Sequence, residues 1–344
     1  MLYSHICLDS FFGRKMFKVK PKYFYKKNFV SKSLLLLSFL YLFGFYLSHL
    51  LKKLSFKSKK RLGKHVICIG NIVCGGSGKT PVCIEIGKYL NAHGLDGCFI
   101  TNGYNRKSKE ETNIPKDHHQ LFSADQVGDE ALLLSNEADV FIVNKRDQSQ
   151  CIDGKYDFVI LDDGLFDDSI IKDVNVVVFD SNFFIGNGYV LPAGPLRTRF
   201  KTLAKADFVI LTDVKDEATR NQINMLSVYI DPSKILQAKL KVKSQHSKTE
   251  KYIAFSGIGE NQKFFDTLKR EGLNVVCEVE FEDHVWYDQK NIDILTTKFG
   301  ELKATKFITT SKDYVKLPEE FRENVEVLEI GYEIPGLEAI FKTS

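Results

Sequence analysis

Residues 65–81 read HVICIGNIVCGGSGKTP, an apolar strand followed by a glycine-rich turn, with Lys79 and Thr80 opening a helix. A polyphosphate needs backbone N–H groups aimed inward from a turn with no Cβ in the way, which Gly75, Gly76 and Gly78 permit around Ser77. It also needs a helix N-terminus pointed at the anion, and a helix from Lys79 to Asn91 supplies one. In such a loop Lys79 reaches the β and γ phosphates, and the Thr80 hydroxyl ligates magnesium. The strict pattern asks for glycine at position 73, where this chain has Val73. Strand, GGSGKT and helix nevertheless come in the order a phosphate-binding loop requires.

A second motif is YDFVILDDG at 156–164. An apolar strand ending in carboxylates downstream of a phosphate loop is where the magnesium-side aspartate of such proteins sits, so Asp162 and Asp163 are the metal candidates. Adjacent side chains on an extended strand point to opposite sides, and only one of the two need touch the ion. Other segments are weaker taken singly: GYNRKS (103–108), VGDEALLL (127–134), VLPAGPLRTRF (190–200), FSGIGENQKFF (255–265), FEDHVWYD (281–288) and TTSKDYVKLP (309–318). Asp129 and Glu130 could simply complement a helix N-terminus. A lone histidine such as His284 is more often structural than catalytic, and GIG lacks the third glycine of a dinucleotide loop.

The elements that position these residues alternate. Continuous apolar runs at 65–70, 97–101, 139–143, 157–161, 175–179 and 207–211 suit buried parallel strands, with helices at 79–93 and 128–136 between them. This predicts a P-loop NTPase-like, doubly wound α/β domain over 65–232. From 233 to 250 a two-sided strand, ILQAKLKVK, leads into a polar linker. A smaller α/β domain follows over 251–344, with strands at 252–255, 274–279 and 305–310 and helices at 260–271 and 289–299.

Composition is that of a globular protein, with 44% hydrophobic and 27% charged residues. Seven scattered cysteines without a C-x-x-C read as free thiols in a reducing compartment. Charge is uneven. Through Lys64 there are 15 Lys or Arg against one acidic residue, Asp9, a charge of +14; with +4 for the whole chain, the rest carries −10.

Within the basic arm, Ser33 to Leu51 is an apolar run of 19 residues without formal charge. As a helix it would be about 28 Å long, close to the hydrocarbon thickness of a bilayer. It is predicted as an N-terminal membrane helix, between a basic lead-in (1–32) and a basic linker (52–64). Lysines flank both ends, so a helix lying in one leaflet against anionic headgroups fits as well as a spanning one. Met16 begins a complete basic lead-in of its own. No motif residue precedes Gly70, so the segment is expected to supply location rather than chemistry. The membrane reading also leaves the lysines without need of a nucleic-acid partner.

Taken in order, GNIVCGGSGKTP, GDE, LDDG, LPAGPLR, FSGIG and DH resemble the tetraacyldisaccharide 4′-kinase family of lipid A biosynthesis. The resemblance runs over nearly the whole chain. It implies a membrane-associated enzyme on the cytoplasmic side of the inner membrane of a Gram-negative bacterium. That enzyme moves the ATP γ-phosphoryl group, with Mg2+, to the 4′-hydroxyl of a lipid A disaccharide 1-phosphate, forming lipid IVA. Carried over by position, Lys79 and Thr80 hold phosphates and metal, and Asp162 and Asp163 form the magnesium-side pair. Asp129 is implied as catalytic base together with His284, and Arg197 as a phosphate-facing arginine. The chain departs from the family at Phe166, usually Gln, at Thr198, usually Glu, and at Asn102 and Asn105 around the GYG tyrosine.

A runner-up is a membrane-tethered P-loop GTPase switch, for which Asn144-Lys145-Arg146-Asp147 offers an N-K-x-D sequence after an apolar strand. Its order argues against it, because in ordinary GTPases the guanine motif follows the metal-binding D-x-x-G.

Overall fold

In the computed structural model, which describes residues 21–55, 59–104, 106–144, 155–214, 216–283 and 285–342, the apolar runs become strands. In chain order these are β1 (His65–Gly70), β2 (Gly97–Thr101), β3 (Thr112–Ile114), β4 (Asp139–Ile142), β5 (Phe158–Asp162), β6 (Val174–Asp180), β7 (Phe208–Thr212), β8 (Ile235–Val242), β9 (Tyr252–Ser256), β10 (Val275–Glu280), β11 (Lys306–Thr310), β12 (Val325–Leu328) and β13 (Ile330–Glu333). The helices used below are α1 (Leu35–Ser55), α2 (Lys79–Ala92), α3 (Asp129–Leu134), α4 (Asn261–Arg270), α5 (Gln289–Glu301) and α6 (Ser311–Tyr314). Most of Asn144–Asp147 lies outside the described residues, as do Met16, Asn105 and His284.

The chain forms two compact units. The first comprises the described parts of Met1–Asn102, Val143–Leu240 and Tyr332–Ser344, and the second those of Gly103–Ile142 and Lys241–Gly331.

In the first unit, strands run in the order β13-β8-β7-β6-β1-β5-β2. From β8 to β2 every neighbouring pair is parallel. Strands β5 and β7 are buried along their whole length, as their unbroken Phe, Val, Ile and Leu runs require of a sheet covered on both faces. The strand β1 lies between β5 and β6, so the chain leaves it in one direction and returns on its other side; this reversal is where a doubly wound sheet opens a crevice at the carboxyl ends of its strands. The register sets Ile69 opposite Asp162, and with it the end of the LDD strand beside the glycine-rich turn.

The second unit holds an antiparallel pair, β3 with β4, and a parallel sheet in the order β10-β9-β11-β12. Its core packs Phe255, Tyr287, Leu295 and Phe307 on one face and Tyr252, Phe265, Leu268 and Ile308 on the other.

The expected N-terminal membrane helix is corrected as a spanning element. Residues 35–55 do form a helix, yet among the described residues no helix is long and apolar enough to cross a membrane. The physical reason is a docked face. Ser38, Leu42 and Phe45 are buried, a stripe at helical spacing. The Ser38 hydroxyl donates to the Val190 carbonyl at 2.8 Å, Tyr41 to the Arg197 carbonyl at 3.0 Å, and His49 Nδ1 lies 2.9 Å from Asp168 Oδ2. The opposite face is bare and apolar, with Leu36, Phe39, Leu40, Phe43 and Leu54 each 64% exposed or more.

Candidate active site

The turn after β1 takes the form its glycines require. Gly75 and Gly78 have φ of 97° and 78°, in the left-handed region that a Cβ disfavours. A Cβ on Gly78 would also stand 3.2 Å from Thr212 Cγ2 and from the Tyr332 hydroxyl. Gly76 has open space around it, so its contribution is access to the backbone. Position 73 does not need glycine here. Val73 forms an antiparallel bridge with Leu196, flanked by Cys74 N–H to the Pro195 carbonyl (2.8 Å) and Arg197 N–H to the Ile72 carbonyl (2.8 Å). The LPAGPLR segment is thereby laid along the entrance of the loop, and an extended, half-paired residue can carry a β-branched side chain.

This lacing delivers Arg197 to the loop. Its guanidinium Nη1 donates to Asn71 Oδ1 at 3.2 Å and to Asp163 Oδ1 at 3.2 Å, while Lys79 Nζ stands 3.8 Å from the same Asp163 oxygen. Asn71 also donates from Nδ2 to the Ser77 hydroxyl at 3.0 Å, so one buried amide ties loop and arginine together. Asn71 lies inside the motif, yet the loop pattern assigns it no role. Its signal was a polar side chain at the end of an otherwise apolar strand. Thr80 is buried on the first turn of α2. Asp162, 4% exposed, accepts from the Thr101 hydroxyl at 3.4 Å, and Asp163 follows it in a left-handed conformation at φ 55°. That bend turns the two carboxylates of an adjacent pair in different directions, with Asp163 toward Lys79 and Arg197. Two departures acquire partners in this unit. Phe166 lies under Arg197 with the guanidinium carbon 5.1 Å from its ring centroid, and the buried Thr198 shares a hydrogen bond with Thr202 at 3.3 Å.

The second unit holds five of the segments that are weak taken singly. Gly257 of FSGIG has no room for a Cβ, which would come within 2.5 Å of Val285 Cγ1 and 2.9 Å of the Glu282 carbonyl. Glu282 and Val285 can therefore lie directly on this turn. Asp313, fully buried, accepts from Gly257 N–H (3.1 Å), Ser256 Oγ (3.3 Å) and Thr310 Oγ1 (2.8 Å), and pairs with Lys316 at 3.0 Å. It joins the ends of β9 and β11, a scaffolding role. Burial, followed by the charge of Asp313, pushes the Tyr287 hydroxyl far above the ordinary tyrosine range.

Asp129 begins α3, is 3% exposed, and accepts from the Glu130 N–H at 2.9 Å. Lys312 of α6 donates to Glu130 Oε1 at 2.7 Å. Burial opposes the charge on Lys312, but the carboxylates of Glu130 and Asp129, the hydrogen bond to Glu130 and the carboxylate of Asp283 outweigh it and hold its pKa above the ordinary lysine range. The second unit thus concentrates three carboxylates about one lysine. In the sequence Lys312 has only its place inside TTSKD to mark it.

Residues 30–343 match the family described as tetraacyldisaccharide-1-P 4′-kinase. A Rickettsia felis protein named tetraacyldisaccharide 4′-kinase is 36% identical over 330 residues, covering 94% of this chain and 96% of its own. The Rickettsia canadensis protein of the same name is 35% identical over 329 residues, with the same shares covered. The fold is similar to the crystal structure of LpxK from Aquifex aeolicus in complex with ATP, with a TM-score of 0.70 and 25% identity over 91% of this chain and 98% of that one.

Proposed function

The chain belongs to the tetraacyldisaccharide 4′-kinase family, and from that premise we propose how its residues divide the work of phosphorylating a lipid A disaccharide 1-phosphate. It is an ATP-dependent kinase of lipid A biosynthesis. The observation that carries the residue assignment is the convergence of Lys79 and Arg197 on Asp163 Oδ1 at the mouth of the glycine-rich turn.

Phosphoryl transfer asks a protein mainly for positioning and charge neutralisation. The backbone of Gly75 to Gly78 and the first turn of α2 hold the phosphate chain, and Lys79 and Arg197 neutralise the oxygens of the transferred group. The 4′-hydroxyl oxygen forms its bond to the γ-phosphorus as the bond to the β-bridging oxygen breaks, and ADP leaves with that electron pair. The hydroxyl proton goes to Asp129, with His284 orienting that carboxylate or sharing the proton. Thr80, Asp162 and Asp163 offer an all-oxygen donor set that suits a hard divalent cation bound mostly through substrate phosphates. Mg2+ held by these residues would supply positive charge to offset the negative charge of the transferring phosphoryl group.

For the acceptor, the bare face of α1 lies in the cytoplasmic leaflet of the inner membrane with the flanking lysines on anionic headgroups. This location explains how an enzyme with two α/β units meets a substrate too apolar to leave the bilayer.

The division of labour is tested by Asp129→Asn and His284→Ala. Each should lower kcat by about 10²-fold or more with little change in ATP affinity. The double variant should be hardly worse than the poorer single one. Fully multiplicative losses would separate the two roles.

A further inference from the structure

The helix that presents the apolar face also touches the phosphate-facing arginine. Arg197 is held along one edge only, through Nη1, and its buried Nε has no hydrogen-bond partner among the described residues. A guanidinium fixed at a single nitrogen can still turn about that bond, so its plane must be set by something else. Phe166 supplies the surface, with its ring centroid 5.1 Å from the guanidinium carbon. A cation stacked on a ring face is attracted most strongly where water is excluded, and the Arg197 side chain is only 10% exposed.

Phe166 in turn sits on the turn after β5 and is held from behind by α1. Phe45 meets it edge to face, with centroids 5.5 Å apart at 88°, and His49 lies 6.2 Å away. One helical turn earlier, the Tyr41 hydroxyl closes on the Arg197 carbonyl at 3.0 Å. Helix, aromatic platform and arginine therefore form one packed column within the first unit.

We infer that Phe166, and behind it Phe45 of α1, are positioning residues for Arg197, so that the seating of α1 sets how fully the phosphate-neutralising arginine is in place. The inference rests on the reading of Arg197 given above. It assigns α1 a part in the chemistry in addition to its part in location, although neither aromatic ring touches the substrate.

The test uses the full chain on detergent-dispersed acceptor, with Phe166→Leu, Phe166→Tyr, Phe45→Leu, Arg197→Ala and the double variant Phe166→Leu/Arg197→Ala. Thermal unfolding is followed in each. Phe166→Leu and Phe45→Leu keep the apolar volume and remove the ring face or its support. Each should lower kcat about threefold to tenfold, while Phe166→Tyr keeps nearly full turnover. In the Arg197→Ala background, Phe166→Leu should cost nothing further, because its effect passes through the missing guanidinium. A packing role alone would lower the melting temperature equally in both backgrounds and leave kcat unmoved. Loss of activity at Arg197 with none at Phe166, or losses that multiply, overturns the inference alone. An Arg197→Ala enzyme of full activity overturns the reading of Arg197, and the inference with it.

Discussion

Arg197 Nη1 donates to Asp163 Oδ1 at 3.2 Å, and the same oxygen stands 3.8 Å from Lys79 Nζ, so that one carboxylate oxygen faces the cations of two separate motifs. On the proposed assignment, a carboxylate in that position would compete with phosphate oxygens for both cations. Asp163→Asn keeps the shape and removes the charge. The variant should bind metal-free ATP more tightly than the wild type, yet turn over about a hundredfold more slowly with Mg2+ present. Calorimetric titration with and without chelator, beside steady-state rates, checks both halves. Weaker metal-free binding would mean that Asp163 shapes the loop and does not compete for its cations.

Lys312 keeps Glu130, Asp129 and Asp283 company in the second unit, with the Asp313–Lys316 pair one turn further along. A neighbouring cation favours the ionised form of a carboxylate, so removing it raises the carboxylate pKa. If Asp129 is the proton acceptor, Lys312→Met should shift the acid limb of the kcat–pH profile upward. The loss would then be largest at low pH and shrink as pH rises, with Lys312→Arg close to wild type. A loss of equal size at every pH would assign Lys312 to structure only.

The outward face of α1 should govern membrane affinity without governing chemistry. Replacing Leu36, Phe39 and Phe43 with serine removes three exposed apolar side chains and leaves the Tyr41 and Phe45 contacts intact. Affinity for vesicles rich in an anionic phospholipid should fall about a hundredfold or more, while turnover on detergent-dispersed acceptor stays within about twofold of wild type. Vesicle sedimentation and a solution assay separate the two. Unchanged sedimentation would remove α1 as the membrane-facing element.

At its C-terminal half the docked helix is fastened by Asp168. The hydrogen bond from His49 holds this carboxyl below the usual carboxylate range, against burial, which pushes it up. A depressed folded pKa gives a contribution to stability that is complete above the unfolded value, about 3.9, and is lost as pH falls through the lower folded value. The urea midpoint of the wild type should therefore exceed that of Asp168→Asn at neutral pH, and the gap should close between about pH 5 and pH 3. A gap that persists into acid would assign the effect of Asp168 to its neutral hydrogen bonds.

The glycine-rich turn and the parallel strands were legible because their signals are local: glycines where φ is positive, lysine and threonine at a helix start, and unbroken apolar runs where a strand is covered on both faces. Val73 looked like a defect only because the motif is written as a string; in space it is an extended residue bridged to Leu196. What stayed hidden depends on partners far along the chain. The apolar count of 33–51 resembles a membrane helix, and no count shows that Ser38, Tyr41 and His49 are the polar positions that fasten one face to the protein. The absence of motif residues before Gly70 suggested location without chemistry, whereas Phe45 reaches Arg197 through Phe166. That residues 103–142 group with the second unit also has no signature in composition. The same is true of Asn71 and Lys312, single polar residues whose importance is set by what they meet.

The central claim is that this chain transfers the γ-phosphoryl group of ATP to one particular hydroxyl of a glycolipid. Purified full-length protein incubated with ATP, Mg2+ and a lipid A disaccharide 1-phosphate, followed by mass spectrometry with fragmentation of the product, measures this directly. One phosphate should be added on the 4′ position, at a rate that Lys79→Ala lowers by about a hundredfold or more. Absence of transfer by folded, ATP-binding protein, or phosphate found at another hydroxyl, would contradict the account.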